Sequence, residues 1–110
     1  MKTESATTHW VRIYLSGPIE VAKQIIRREV KREGLCVTIE STTFMYTGGE
    51  ETGYVVGLIN YPRFPATAEY IWERAMRLAI ALLEETYQHS ALCMAPDKTE
   101  WLTTRQDSAA

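Results

Sequence analysis

Six consecutive residues near the middle of the chain combine side chains that hold a small phosphorylated ligand, Asn60-Tyr61-Pro62-Arg63-Phe64-Pro65. The rings of Tyr61 and Phe64 offer faces on which a nucleobase stacks, and the Arg63 guanidinium suits a phosphate. The Asn60 amide is able to read a base edge or a ribose hydroxyl. Because the two prolines stiffen the backbone, little conformational entropy is lost on binding. The segment is therefore predicted to bind a nucleotide.

A structural interpretation of the same segment is also open. Phe64 would then pack against the start of the helix that follows, while Tyr61 and Arg63 would cover the edge of a sheet. In that case the segment connects two elements and binds no ligand.

Positive charge is concentrated on the first predicted helix, where basic residues recur every four positions and share one face. Arg27 or Arg28 would hold a small anionic ligand at a boundary between subunits. Alternatively, the interleaved glutamates neutralise this face and it is an ordinary solvated surface. Arg105, beside Trp101 on the last predicted strand, would contribute to the ligand site or would be an edge charge that discourages aggregation.

A glycine pair followed by two glutamates, Gly48-Gly49-Glu50-Glu51, resembles part of the Gly-Gly-Asp/Glu-Glu-Phe hairpin of the diguanylate cyclases. Adjacent glycines let the backbone approach a ligand, and carboxylates there hold a divalent cation. The match ends after the glutamates, because Thr52 stands where that hairpin has phenylalanine. The other interpretation is a polar hairpin tip, with Thr47 beside the glycines.

Metal-binding and nucleophilic motifs are not recognisable in the sequence. His9 and His89 have no carboxylate or cysteine at ligand spacing, and the two cysteines are spaced neither for a metal nor for a redox pair. No phosphate-binding loop or dinucleotide fingerprint occurs. We therefore expect no cofactor and assign no catalytic residue or metal ligand.

Charge and hydropathy exclude several classes of function. The formal net charge of −2 argues against general nucleic-acid binding, which needs a basic surplus. No apolar run approaches the ~20 residues that span a bilayer, and the first residues lack a secretory signal. The cytoplasm is the expected location, that of the host cell if the chain is phage-encoded.

Hydrophobic periodicity predicts the order βαββαβ with an extra C-terminal strand. Strands are predicted over 10–16, 35–46, 54–60, 91–95 and 99–104, helices over 18–33 and 67–88, and a loop over 47–53. We expect an α+β, ferredoxin-like sandwich with both helices on one face of an antiparallel sheet. It would form a single domain over 10–105, with a flexible N-terminus over 1–9 and a flexible tail over 106–110.

The second predicted helix is apolar on more than one side. Its Trp72, Met76 and Leu83 side exceeds what one sheet face needs to cover. Such a surplus is commonly buried between subunits, so a homo-oligomer is expected.

Several segments together resemble the phage-encoded anti-Thoeris proteins, which sequester cyclic ADP-ribose signals. The resemblance runs from Val11 through Arg105 and is carried by Ser16-Gly17-Pro18, Tyr46-Thr-Gly-Gly-Glu-Glu, Leu58-Ile-Asn-Tyr-Pro-Arg-Phe-Pro and Trp101-Leu-Thr-Thr-Arg. It implies an oligomer that binds cyclic ADP-ribose isomers or cyclic oligonucleotides without turning them over. It also implies that arginine holds the pyrophosphate and that Phe or Tyr stacks on the adenine.

The leading hypothesis is a non-enzymatic binder that sequesters a cyclic nucleotide signal and so blocks a host antiphage defence. A second hypothesis is a protein-interaction module, inhibitor or adaptor, that docks through the second helix or a sheet edge. A third is a metal-dependent nucleotide enzyme that uses the Gly-Gly-Glu-Glu segment. The residues predicted to contact the ligand are Arg27, Arg28, Thr47, Gly48, Gly49, Asn60, Tyr61, Arg63, Phe64, Trp101 and Arg105.

Overall fold

The computed structural model describes residues 1–105, and the tail predicted over 106–110 lies outside them. The elements follow the order predicted from hydrophobic periodicity, with one strand after the βαββαβ unit. They are β1 (Trp10–Ser16), α1 (Ile19–Arg32), β2 (Val37–Tyr46), β3 (Gly49–Ile59), α2 (Ala68–Glu85), β4 (Ser90–Ala95) and β5 (Lys98–Thr103).

The strands form one antiparallel sheet in the order β2-β3-β1-β4-β5. The central strand β1 pairs with β3 from Trp10↔Ile59 to Ser16↔Gly53, and with β4 around Ile13↔Cys93. Both helices cover one face of this sheet, and the buried side chains of its strands point toward them. The ferredoxin-like α+β prediction is confirmed.

Period-two alternation in β1 decides which face of the sheet becomes the core. Val11, Ile13 and Leu15 are buried beneath the helices, while Arg12 between them is exposed. The facing stripe of α2 recurs at helical spacing, with Ile71 and Leu78 among its buried members. Each fully buried aliphatic side chain of this kind contributes about 1.5–3 kcal/mol.

The β2–β3 hairpin is longer than the sequence predicted. The loop expected over 47–53 is wrong, because pairing continues to Tyr46↔Gly49 and leaves two residues, Thr47 and Gly48, for the turn. Gly48 has φ 99°, the conformation that the second central residue of a type II turn requires and that glycine adopts without strain. The β-branched and aromatic residues of β2 thus extend the ladder through a stretch whose composition is typical of loops.

The helix ends follow local capping chemistry. The Thr67 hydroxyl accepts a hydrogen bond from the Tyr70 amide at 3.1 Å and caps α2. Pro18 precedes the first turn of α1, where proline fits without losing a helix hydrogen bond. Within residues 1–105 neither helix is long and apolar enough to cross a membrane.

Two ionisable side chains, Tyr54 and Cys93, lie in the core. We expect them to lower the stability of the fold at alkaline pH. Burial raises the pKa of Tyr54 to about 12. Burial, with a smaller effect of the Glu100 charge, raises the pKa of the Cys93 thiol to about 11. Because the unfolded chain loses both protons at lower pH, folding stability is complete at neutral pH and falls as pH rises through 9 to 12. Each group contributes up to about 1.4 kcal/mol per pH unit to this loss.

Urea unfolding of the wild-type protein and of Tyr54→Phe between pH 8 and 12 checks this expectation. The Tyr54 hydroxyl has no hydrogen-bond partner among the described residues, so its removal costs little at neutral pH. Above about pH 10, the variant is expected to lose stability less steeply than the wild type. Equal slopes would show that Tyr54 does not titrate with folding.

Candidate functional site

A cleft of about 450 Å³ opens between the start of β2, the end of β3 and the start of α2. This volume falls in the ~300–1,000 Å³ range of small-molecule sites, and the walls are chiefly aromatic and aliphatic, as in such sites. They include Cys36, Asn60, Tyr61, Phe64, Tyr70 and Ile71. Three of these residues come from the segment predicted to bind a ligand, so that segment does border a concave surface.

Asn60 shapes the cleft through bonds to the backbone. Its Nδ2 donates to the Thr7 carbonyl at 2.7 Å, and its Oδ1 accepts from the Ala66 amide at 2.8 Å. Its own amide donates to the His9 carbonyl at 2.9 Å. The side chain therefore closes the loop over 60–66. The sequence suggested that Asn60 reads a base edge or a ribose hydroxyl, but these contacts leave the side chain little capacity to do so.

The aromatic residues of the loop are presented by a turn. The Phe64 amide donates to the Tyr61 carbonyl at 2.9 Å, and Pro62 occupies the second position, where its fixed φ favours such turns. Phe64 is 67% exposed and lines the cleft beside Tyr70 and Ile71, so it borders the start of α2 without being buried against it. Arg63 is exposed and is not among the residues that line the cleft; its guanidinium carbon lies 5.4 Å from the centre of the Phe64 ring.

Tyr61 is held from the opposite wall by Cys36, to which the sequence analysis assigned no role in the site. Cys36 is exposed, lies just before β2, and its Sγ is 3.4 Å from the Tyr61 hydroxyl. The hydrogen bond with Cys36 raises the pKa of Tyr61 above its usual range, and the charge of Cys36 and burial add smaller increases. Tyr61 therefore presents a neutral phenol to the cleft at physiological pH.

Tyr70 completes the aromatic wall and was missed from the sequence. Its hydroxyl accepts a hydrogen bond from Arg74 Nη1 at 3.1 Å, one turn further along α2. The spacing of four residues on one helix face is the signal that would have indicated this contact. Tyr70 is 44% exposed, so its ring is available to a ligand while its hydroxyl is fixed.

Arg74 joins α2 to the end of α1 beneath the cleft. It is buried, and its guanidinium donates to the carbonyls of Glu33 at 2.9 Å and Gly34 at 3.3 Å. A salt bridge of 3.4 Å links its Nε to the Glu33 carboxylate. These carbonyls follow the last turn of α1, where a cation is favourable. Arg74 thus positions both Tyr70 and the chain leading to Cys36.

The glycines of the hairpin lie far from this cleft. Thr47, Gly48 and Gly49 are at one end of β3 and Asn60 follows its other end, 11 strand residues away. At about 3.3 Å per residue the two ends are about 30 Å apart. A contact of these three residues with ligand in the same cleft of one chain is therefore excluded by distance.

The helix α1 arginines also lie outside the cleft. The Arg28 guanidinium donates to both carboxylate oxygens of Glu85 on α2 and, through Nε, to Glu29 at 2.9 Å. The hydrogen bond from Arg28 lowers the pKa of Glu85, which stays ionised. Arg28 is thus neutralised by carboxylates, whereas Arg27 is exposed on the helix surface. Their role in anion binding stays a prediction.

Trp101 and Arg105 belong to the far edge of the sheet. Trp101 lies on β5 opposite Leu92, on the face away from the helices, and is 55% exposed. Arg105 follows β5 and is exposed. Neither residue lines the cleft near Asn60, and their contact with a ligand also stays a prediction.

The apolar side of α2 is used within the domain. Leu83 is buried, Trp72 and Met76 pack against the core, and Lys98 Nζ lies 4.2 Å from the centre of the Trp72 ring. The argument for an oligomer from these three residues is therefore wrong, because all three pack against the core of the domain and Lys98 of β5 covers the Trp72 ring. The homo-oligomer itself stays a prediction.

The chemistry available in the cleft is binding and exclusion of water. Its lining residues include no aspartate, glutamate or histidine. Among residues 1–105 no three histidine, cysteine or acidic side chains are placed to hold a metal ion. Aromatic faces attract planar bases and cations, with stabilisation of about 0.5–2 kcal/mol for a cation over one ring. A cationic nucleoside derivative suits these walls.

Two solved structures share the fold of this chain. A phage SAM lyase in complex with S-methyl-5'-thioadenosine matches with a TM-score of 0.75 and 16% identity, over 96% of this chain and 97% of that chain. A phage SAM lyase in the apo state matches with a TM-score of 0.66 and 18% identity, over 88% and 90%. No protein-family model and no curated protein matches the sequence.

These neighbours correct two expectations. The prediction that the chain is not an enzyme is wrong, because both proteins that share its fold nearly end to end are lyases. The lack of a recognisable motif misled that prediction, because active sites assemble from residues that are distant in the sequence. The resemblance to anti-Thoeris sponges is supported only in its coarser part, because the neighbours are phage proteins and one of them is in complex with the small nucleoside S-methyl-5'-thioadenosine.

Proposed function

We propose that this protein is a lyase that acts on S-adenosylmethionine, or on a closely related adenosyl sulfonium compound, and releases S-methyl-5'-thioadenosine. The observation that carries the proposal is the aromatic cleft of Tyr61, Phe64 and Tyr70 on this fold. The adenine would stack on one of these rings, and the positive sulfonium would lie against another. A phage-encoded enzyme of this kind would work in the cytoplasm of the host.

The reaction breaks the bond between the sulfonium sulfur and the γ-carbon of the amino-acid part. Sulfur keeps the electron pair and leaves as a neutral thioether. The four-carbon fragment either loses a β-proton to a base or closes on itself, with its own carboxylate oxygen attacking the γ-carbon. The cleft lining has no carboxylate or imidazole to act as that base, which favours ring closure.

Ring closure also suits an apolar environment. The carboxylate and the sulfonium neutralise one another as the new bond forms, so charge disappears in the transition state. Water stabilises the separated charges of the substrate more than that transition state, and a cleft that excludes water removes this advantage. Tyr61, Phe64 and Tyr70 would thus act by positioning the nucleoside and by desolvating the reacting groups.

Incubation of the purified protein with S-adenosylmethionine tests the proposal, with S-methyl-5'-thioadenosine and the four-carbon product measured by mass spectrometry. The Tyr61→Ala, Phe64→Ala double variant is expected to lower kcat/KM by about 100-fold, since a stacked base contributes about 1–3 kcal/mol and a cation over a ring about 0.5–2 kcal/mol. Tyr46→Ala is the matched control, because Tyr46 is an exposed ring at the far end of the hairpin, and it should keep wild-type activity.

Two outcomes would contradict this function. One is no thioether product together with no thermal stabilisation by S-adenosylmethionine or S-methyl-5'-thioadenosine. The other is stabilisation by cyclic ADP-ribose isomers alone, which would assign the cleft to a different nucleotide.

A further inference from the structure

A second cavity, of about 490 Å³, lies on the other side of the α2 start from the aromatic cleft. Its walls are the start of β1, the first turns of α2 and the β4–β5 turn, whereas the cleft lies at the ends of β2 and β3. Ile71 lines both. The volume is in the ~300–1,000 Å³ range of small-molecule sites, and the proposed lyase reaction makes no use of this cavity.

Two half-buried tryptophans line the second cavity, Trp10 from β1 and Trp72 from α2. The Lys98 Nζ lies 4.2 Å from the centre of the Trp72 ring, within the ~6 Å reach of a cation–π contact. Lys98 also lines the cavity. The Trp72 ring therefore already holds an alkylammonium group at this wall, which indicates the kind of ligand that its face accepts.

Three carboxylates, those of Glu69, Glu73 and Asp97, line the cavity against one lysine. Among residues 1–105 none of the three forms a salt bridge. The first turn of α2 favours a carboxylate at Glu69 through the helix dipole. Glu73 lies four residues further along the same helix face, where a like charge destabilises the helix. A cation bound in the cavity would remove this repulsion.

The negative charges of the cavity are dispersed. Glu69 and Glu73 are about 6 Å apart along the axis of α2, and Asp97 belongs to a different wall, the β4–β5 turn. Among residues 1–105 no three acidic, histidine or cysteine side chains are placed to hold a metal ion. A linear cation with several ammonium groups matches charges at such spacing, and its methylene chain suits tryptophan rings as the stem of a lysine does.

We propose that this cavity is a second binding site and that it takes a linear aliphatic polyamine. One ammonium group of the ligand lies over the Trp72 ring in place of Lys98, whose exposed side chain moves aside. The other ammonium groups pair with the carboxylates of the cavity. The aromatic residues of the cleft take no part, so the site does not depend on the proposed lyase reaction.

Isothermal titration calorimetry of the full chain with spermidine tests this site. We expect one saturable site with a Kd of about 100 µM or lower. Glu73→Gln should weaken binding by about fivefold or more, because the ligand loses a charged partner. Glu84→Gln is the matched control, since Glu84 is an exposed glutamate of the same helix that does not line the cavity. It should bind spermidine within about twofold of the wild type, because solvent screens its charge.

Lys98→Ala provides a second comparison, in which the loss of a lysine is expected to tighten the binding of a cation. The variant frees the Trp72 ring and removes a like charge, so the Kd should fall by about fivefold or more. Lys31→Ala removes the same charge from an exposed position on α1 and should change the Kd by less than about twofold.

Three results would overturn the proposal. The first is no saturable binding up to about 1 mM spermidine. The second is equal weakening by Glu73→Gln and Glu84→Gln, which would show that spermidine responds only to the net charge of the protein. The third is a Lys98→Ala variant that binds no more tightly than Lys31→Ala, which would show that the Trp72 ring does not receive the ligand.

Discussion

Replacing Arg74 with alanine is expected to lower the free energy of unfolding by about 2–4 kcal/mol, because two backbone carbonyls lose their charged donor. The carbonyls are those of Glu33 and Gly34 at the end of α1. The guanidinium is nearly fully buried, with a side-chain exposure of 6%, so water does not replace it without opening the contact between the helices. For a domain of this size the melting temperature should fall by about 10 °C or more.

Arg77→Ala is the matched control for this variant. Arg77 contacts the same Glu33 carboxylate at 3.4 Å, but 61% of its side chain is exposed. A solvated ion pair of this kind contributes at most about 1 kcal/mol. Similar melting temperatures for the two variants would show that the Arg74 hydrogen bonds do not stabilise the helix junction.

Arg74→Lys separates positioning from charge. Lysine keeps the cation but lacks the fork that bonds the carbonyls and the Tyr70 hydroxyl together. If Arg74 positions Tyr70 in the proposed reaction, this variant raises KM for S-adenosylmethionine and leaves kcat nearly unchanged. A purely structural role would lower stability without this change in KM.

Replacing Gly53 with alanine is expected to cost about 2–3 kcal/mol through overpacking. An added Cβ would overlap the Leu15 carbonyl oxygen and the Phe44 ring. The ring is able to rotate, but the carbonyl belongs to the β1–β3 ladder, where Leu15 and Ser16 pair with Tyr54 and Gly53. Relief therefore requires the central strand pair to separate locally.

Urea unfolding measures the free energy cost of Gly53→Ala, and alanine variants of two other glycines serve as comparisons. A Cβ at Gly57 would meet the Thr38 hydroxyl at 2.6 Å, which is a side chain that is able to move. A Cβ at Gly34 would meet no atom within 4 Å, so Gly34→Ala should change stability by less than about 1 kcal/mol. The expected order of cost is Gly53, then Gly57, then Gly34. A Gly53→Ala variant as stable as Gly34→Ala would contradict the packing argument.

The alternation of β1 and the helical stripe of α2 were readable from the sequence because each depends on local periodicity. The order of elements then left few ways to cover both apolar helix faces, and the ferredoxin-like arrangement follows from that restriction. The hairpin was misread because Gly48 to Gly53 has the composition of a loop. Pairing with the β-branched residues of β2 outweighs that composition. The sequence of one strand does not show this pairing, because the partner strand supplies half of the contacts.

One part of the candidate site was predictable from the sequence and another part was not. The segment over 60–65 was predicted from its own residue types, and its turn, prolines and exposed Phe64 are local properties. The walls opposite it were not predictable, since Cys36 and Tyr70 are brought to Tyr61 by the β2 start and the α2 start. The enzymatic character of the fold's neighbours was equally invisible, because no motif of spaced catalytic residues accompanies the cleft.

The sequence by itself determined the elements, the class of fold and one aromatic segment, since each of these depends on residues close together in the chain. Tertiary structure decided which charges remain available and which are neutralised. Arg28 and Glu85, 57 positions apart, pair across the two helices. Arg12 and Glu40 lie on strands on either side of β3, and neither forms a salt bridge among residues 1–105. It also separated the hairpin glycines from the Asn60 loop by the length of β3. These outcomes depend on distances between remote segments, which only the packed chain defines.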